Sequence, residues 1–130
     1  MAMIVRAFPV LPGKENELLE FAKAVGDSRR QETASFLQSF GLRRESWHVQ
    51  RTPHGMFVIV VTDVEDPPIE KARAYSVAQG SFERWFKDQV KALSGIDPDA
   101  EPLGPPTETV FAWDSGHNRR RTFDAPTASA

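Results

Sequence analysis

The chain has 130 residues, of which 40% are hydrophobic and 26% charged, a length and balance that suit one globular domain with one core. Its formal net charge of -2 at pH 7 offers no basic excess to a phosphate backbone, which argues against general nucleic-acid binding. It contains no cysteine, so disulfides, thiolate nucleophiles, Fe–S clusters and cysteine-rich zinc sites are excluded together.

The opening Met1-Ala2-Met3-Ile4-Val5-Arg6 lacks a basic stretch followed by an apolar one, so no signal peptide is expected there. Ile4 to Phe8 reads as a first strand, closed by Pro9 and Pro12. Pro12-Gly13 is turn chemistry, and the acidic residues of Lys14-Glu15-Asn16-Glu17 suit the positive end of a helix. Leu18, Phe21, Ala22, Val25, Arg29, Glu32, Phe36 and Phe40 then recur at three- and four-residue steps, a helical stripe ending at Gly41. Gly26 falls inside the stripe and marks a place for a kink or break.

Leu42 to Arg51 reads as a second strand, with Trp47 and Val49 on one side and Ser46 and His48 on the other. Thr52-Pro53-His54-Gly55 is a tight turn, and Met56 to Thr62 completes a hairpin. Asp66-Pro67 opens a short helix to about Gln79, and a second helix runs from Ser81 to Gly95 with Phe82, Trp85, Phe86, Val90 and Leu93 on its apolar face. A proline-rich loop spans Asp97 to Pro106. Thr107 to Trp113 alternates as a last strand, with Thr109, Phe111 and Trp113 on one face. The expected organisation is therefore a domain over 1–114 and a mobile polar tail over 115–130 that carries His117 and Arg119-Arg120-Arg121.

This order, β-α-β-β-α-β, predicts a ferredoxin-like α+β fold: an antiparallel sheet with helices on one face. A strand with one wet face alternates polar and apolar residues, but the third strand does not. Phe57, Ile59 and Val61 point one way and Met56, Val58 and Val60 the other, so both faces call for cover. Helices of one chain bury a single face. A second copy of the sheet would cover the other, making a homodimer with an interface of order 800 Å² per subunit.

The element order, the Pro12-Gly13-Lys14-Glu15 lead into the first helix and the apolar third strand resemble the dimeric α/β-barrel superfamily over Met3 to Asp114. That group includes small cofactor-free monooxygenases of the antibiotic-biosynthesis type, haem-binding barrels and stress-responsive barrel proteins. The resemblance implies a small molecule bound between sheet and helices or inside the barrel.

Several residues stand out as candidates for a site. Arg29 and Glu32 interrupt the apolar stripe of the first helix, where charge needs a partner, and Arg6 and Glu45 are positioned to complete a cluster. One reading is a structural ion network, or placement at a rim beyond a break near Gly26. The other is a pocket in which Arg29 holds an anionic or carbonyl oxygen and Glu32 or Glu45 acts as base. His48 is the natural proton carrier if it faces a cleft and a packed or surface residue otherwise. Trp47, Trp113 and Tyr75 are the aromatic candidates for ligand contact.

The three histidines are scattered with no zinc-type spacing, the glycines form no phosphate loop, and no serine sits in a nucleophile elbow, so neither metal nor cofactor is expected. The longest apolar run, Met56 to Val61, is too short to span a bilayer, and a cytoplasmic protein with no membrane partner is the expectation. Two functions remain in view. One is a dimeric barrel protein that binds a small organic molecule; the alternative is a cofactor-independent monooxygenase-like enzyme acting on a small flat substrate.

Overall fold

A computed structural model describes residues 1–116 and the backbone of 122–123. Strand β1 spans Ala2–Pro9, helix α1 Glu15–Lys23 and helix α2 Arg30–Ser39, with a π-helical turn, Ala24–Ser28, between the helices. Strand β2 (Leu42–Thr52) and strand β3 (Gly55–Val64) form a hairpin, followed by helix α3 (Pro68–Val77) and helix α4 (Ser81–Ser94). A last pair of residues, Thr122–Phe123, makes β4. The fold is α+β, with β1 and β2 each antiparallel to β3 and a sheet order of β2-β3-β1-β4.

The helical stripe of the sequence is one face continued through two helices. Gly26 lies in the middle of the π turn, where the wider winding shifts the register before α2 resumes. Leu18 and Phe21 of α1 and Phe36 of α2 reach the core, as do Phe82, Phe86 and Leu93 of α4. The centre is aromatic, with Phe36 and Phe86 ring centroids 5.0 Å apart, Phe36 and Phe82 at 5.2 Å and Phe21 and Phe86 at 5.3 Å. Truncating any of these rings would cost about 3–5 kcal/mol.

Strand β2 carries a bulge between Leu42 and Arg44, whose partners on β3 are the adjacent Val64 and Asp63. The side-chain period of a strand is two, so one extra residue exchanges the faces for everything after it. Leu42 faces the helices before the bulge, and Glu45 and Trp47 face them after it. Without that residue both would point to the opposite face.

The expected last strand is not formed. Residues 107–113 belong to no strand, and Val110, Phe111 and Trp113 are 85%, 81% and 74% exposed. The alternation of this segment does favour extended chain, but a ladder also needs a free strand edge. The carbonyl of Val5 on β1 instead accepts from Thr107 Oγ1 at 2.5 Å and from Arg6 Nη1 at 3.0 Å, and Ala2 and Met3 pair in parallel with Thr122 and Phe123. The expected tail thus contributes β4; its 117–121 and 124–130, with His117 and the three arginines, lie outside the described residues.

A buried lysine fixes the position of α3. Lys87 on α4 is 0% exposed, and its ammonium donates to the carbonyls of Ser76 and Ala78 at 3.2 and 2.8 Å and to Asp99 Oδ1 at 2.8 Å. All three N–H donors are used, two of them on carbonyls that the end of α3 leaves unpaired. Helix end, α4 and the 97–104 loop are joined at one atom.

Candidate functional site

Between the helix-facing side of the sheet and the helices lies a cavity of about 160 Å³. Its floor follows from the strand register, with Ile4, Thr62 and Glu45 across one row and Arg6, Val60 and Trp47 across the next. Phe21, Phe36 and Phe86 close it from α1, α2 and α4; Ala72 and Tyr75 close it from α3, and Pro98 and Leu103 from the loop after α4. Gly104 keeps that loop close to the sheet. It has φ of 76°, and a Cβ there would lie 2.7 Å from two ring atoms of Phe8, a lining residue.

The lining is mostly apolar, and the groups that interrupt it carry chemical meaning. Glu45 Oε2 accepts from the indole Nε1 of Trp47 at 2.9 Å, and Oε1 accepts from Thr62 Oγ1 at 3.1 Å. Burial raises the carboxyl pKa above its ordinary value, while the bonds from Trp47 and Thr62 pull it the other way. Tyr75 is raised as well, first by burial and then by the negative charges of Glu45 and Asp99. Its ring rests 5.7 Å from both Phe36 and Phe40, with the Lys87 ammonium 5.0 Å from its centroid. Among the described residues no hydrogen bond engages the Tyr75 hydroxyl.

Of the residues singled out in the sequence, Glu45, Trp47 and Tyr75 meet at this cavity, and Arg6 joins them from β1. Arg6 is 3% exposed and spends Nη1 on the Val5 carbonyl and on Thr107 Oγ1; no ion pair joins it to Glu45. The expected four-membered ionic cluster is therefore not assembled.

Arg29 and Glu32 form a two-pronged pair of their own on the outside, with both bonds at 2.9 Å. The hydrogen bond from Arg29 holds the Glu32 carboxyl below its ordinary value. The Arg29 guanidinium lies over the rings of Trp85 and Phe82, at 4.2 and 4.8 Å, which covers apolar surface with a cation. Arg29 stands at the junction between the π turn and α2, and Glu32 in the first turn of α2, where both side chains remain in reach of solvent.

His48 occupies the opposite side of the sheet from the cavity, where its Nε2 lies 2.9 Å from Ser46 Oγ. Trp113 is outside the cavity in the exposed 107–113 segment. Neither residue joins Glu45.

Sequence reasoning missed Thr62, whose place opposite Glu45 depends on the bulge, and Lys87, a polar position within an amphipathic helix. Among the described residues, no group of three or more His, Cys, Asp or Glu is arranged to hold a metal ion. No helix among them is long and apolar enough to cross a membrane. Set against known protein families, curated proteins and solved structures, the chain matches none.

Proposed function

We propose that the chain works as a homodimer of ferredoxin-like units, resembling the dimeric α/β barrels, and that each unit binds one small, flat organic molecule between sheet and helices. The observation that carries this reading is Glu45, a partly buried carboxyl group on the wall of a mostly apolar cavity. Such a group costs stability unless hydrogen bonds offset its lost hydration. Trp47 and Thr62 supply one donor each. A carboxylate has about four acceptor sites, so capacity remains toward the void.

The volume sets the ligand size. About 160 Å³ is close to that of apolar cavities that take up a molecule the size of benzene. A single ring with a hydroxyl or amino group would fill the space and donate to Glu45, with Tyr75 offering a second polar contact. The order β2-β3-β1, with β1 and β2 each antiparallel to β3, supports the ferredoxin-like reading, from which the two-residue β4 departs by running parallel to β1, and the sheet face turned away from the helices supports the dimer.

The raised pKa of Glu45 favours a second reading in which the same residue is a base. A bound phenol or enol that gives its proton to Glu45 becomes an electron-rich anion. Dioxygen would accept electrons from that anion, as the resemblance to cofactor-free monooxygenases implies. In this reading His48 and Glu32 take no part.

Thermal unfolding of the full chain with phenol or toluene tests the binding reading. Phenol is expected to raise the melting temperature more than toluene, and Glu45→Leu to abolish the difference. Equal shifts from the two, or none from either, would contradict it. Oxygen uptake in the presence of phenol would favour the enzymatic reading over simple binding.

A further inference from the structure

The side of the sheet away from the helices is apolar along β1 and β3, bordered on β2 by Ser46, His48 and Gln50 and closed at one end by the buried Asp63. Its rows are Val5–Val61–Ser46, Ala7–Ile59–His48 and Pro9–Phe57–Gln50, read from β1 across β3 to β2. Phe57, Ile59 and Val61 sit at the centre of the sheet, and the helices approach from the other side.

A second uncovered apolar surface belongs to the same chain. The segment 107–113 leaves the edge of β1 at Thr107, which is bonded to the Val5 carbonyl and to Arg6, and it then exposes Val110, Phe111 and Trp113 almost fully. Two large aromatic side chains in water are unusual surface for a chain that works as a monomer.

We infer that the 107–113 arm of one copy lies across the outer sheet face of a second copy, with the exchange reciprocated about a two-fold axis. The inference deepens the dimer reading above and rests on it. A second copy is the occupant that suits both surfaces, because each subunit carries one arm and one face, and a two-fold exchange satisfies both and leaves nothing open for further growth. The arm does not lie down on its own sheet, as the exposures of Phe111 and Trp113 establish. Phe and Trp are the kind of anchor that dominates interfaces, and an extended segment brings its backbone groups along for pairing. Charge agrees as well. Exposed Glu108 and Asp114 flank the apolar part of the arm, and exposed Arg44 and His48 border the receiving face on β2.

Sedimentation velocity across dilution tests the exchange with the full chain, alongside Phe111→Ser/Trp113→Ser. The wild type is expected to be a dimer and the double variant to dissociate at concentrations at least tenfold higher, with a cooperative melt retained. Should that variant fail to fold, the emission of Trp113 gives an independent reading, obtained as the difference between wild type and Trp113→Phe. It is expected to be blue-shifted in the dimer and to move red on dilution. A wild type that is monomeric at every concentration would overturn both the dimer and the exchange. A dimer unaffected by the double variant, or one in which Trp113 emits as a water-exposed indole, would overturn the exchange and leave the dimer standing.

Discussion

Glu45 stands where a leucine would pack, and its ionisation is tied to the fold. Burial raises its pKa above the ordinary 4.5, so the native state keeps the proton through a pH range in which the unfolded chain has lost it. The stabilising contribution is then whole below about pH 4.5 and disappears as pH rises through the folded-state value. Glu45→Gln, which keeps the shape without the charge, should gain on the wild type in urea midpoint as pH climbs through that window. Parallel curves would contradict the assignment. Asp99 has the opposite sign, because hydrogen bonds from Lys87 and Arg84 lower its pKa below 3.8, and its contribution is lost as pH falls.

Lys87 makes a separate prediction at the same scale. Lys87→Ala leaves the carbonyls of Ser76 and Ala78 without their donor in a buried place, at a cost of about 3 kcal/mol by chemical denaturation. A change under about 0.5 kcal/mol would mean that water replaces the ammonium without penalty. Its role was hidden in the sequence because a helical lysine between Phe86 and Asp88 looks the same whether it reaches solvent or carbonyls from another helix.

The helices, the hairpin and their boundaries were legible from the residues, since periodicity and turn chemistry are local properties. Gly26 even marked where the first helix changes winding. What was not legible was non-local. The bulge near Arg43 decides that Glu45 faces the void, and nothing in Leu42-Arg43-Arg44-Glu45 says which residue is the extra one. The 107–113 segment has a strand's alternation, yet on the edge it would pair with the Val5 carbonyl is taken by Arg6, and Ala2 and Met3 by β4. Likewise Arg29 and Glu32 interrupt an apolar stripe in the sequence, and only the folded chain shows that they pair with each other at its outer end.

Two glycines test the elements from opposite directions. Gly26 has no atom within 4 Å of a built Cβ, and its φ is not positive, so Gly26→Ala should stabilise by about 0.5–1 kcal/mol through the unfolded state. Gly104→Ala meets both a left-handed φ and the Phe8 ring, and should destabilise by about 1–3 kcal/mol while disturbing the cavity wall. Denaturant melts of both variants check the pair. Equal effects would show that the loop after α4 is not held against β1 as described.

At the scale of the whole molecule the sheet divides two tasks between its faces. The helix-facing side lines a small, mostly apolar cavity interrupted by Glu45, Thr62, Tyr75 and Arg6, while the far side carries Val5, Ala7, Phe57, Ile59 and Val61. The alternation that failed on β3 is what both surfaces have in common: each side of that strand has something apolar to meet. Ligand binding and association are independent on this account, since the cavity is lined from within one chain.

The most direct measurement follows the indole N–H of Trp47, which bonds to Glu45 at 2.9 Å, in an amide-type ¹⁵N–¹H spectrum during titration with phenol. Phenol bound against the carboxylate should shift the Trp47 indole resonance progressively and saturably, leave that of Trp113 in place, and lose its effect in Glu45→Leu. A Trp47 resonance that stays fixed while phenol reaches saturation elsewhere would mean that the void is a packing defect and not a binding site.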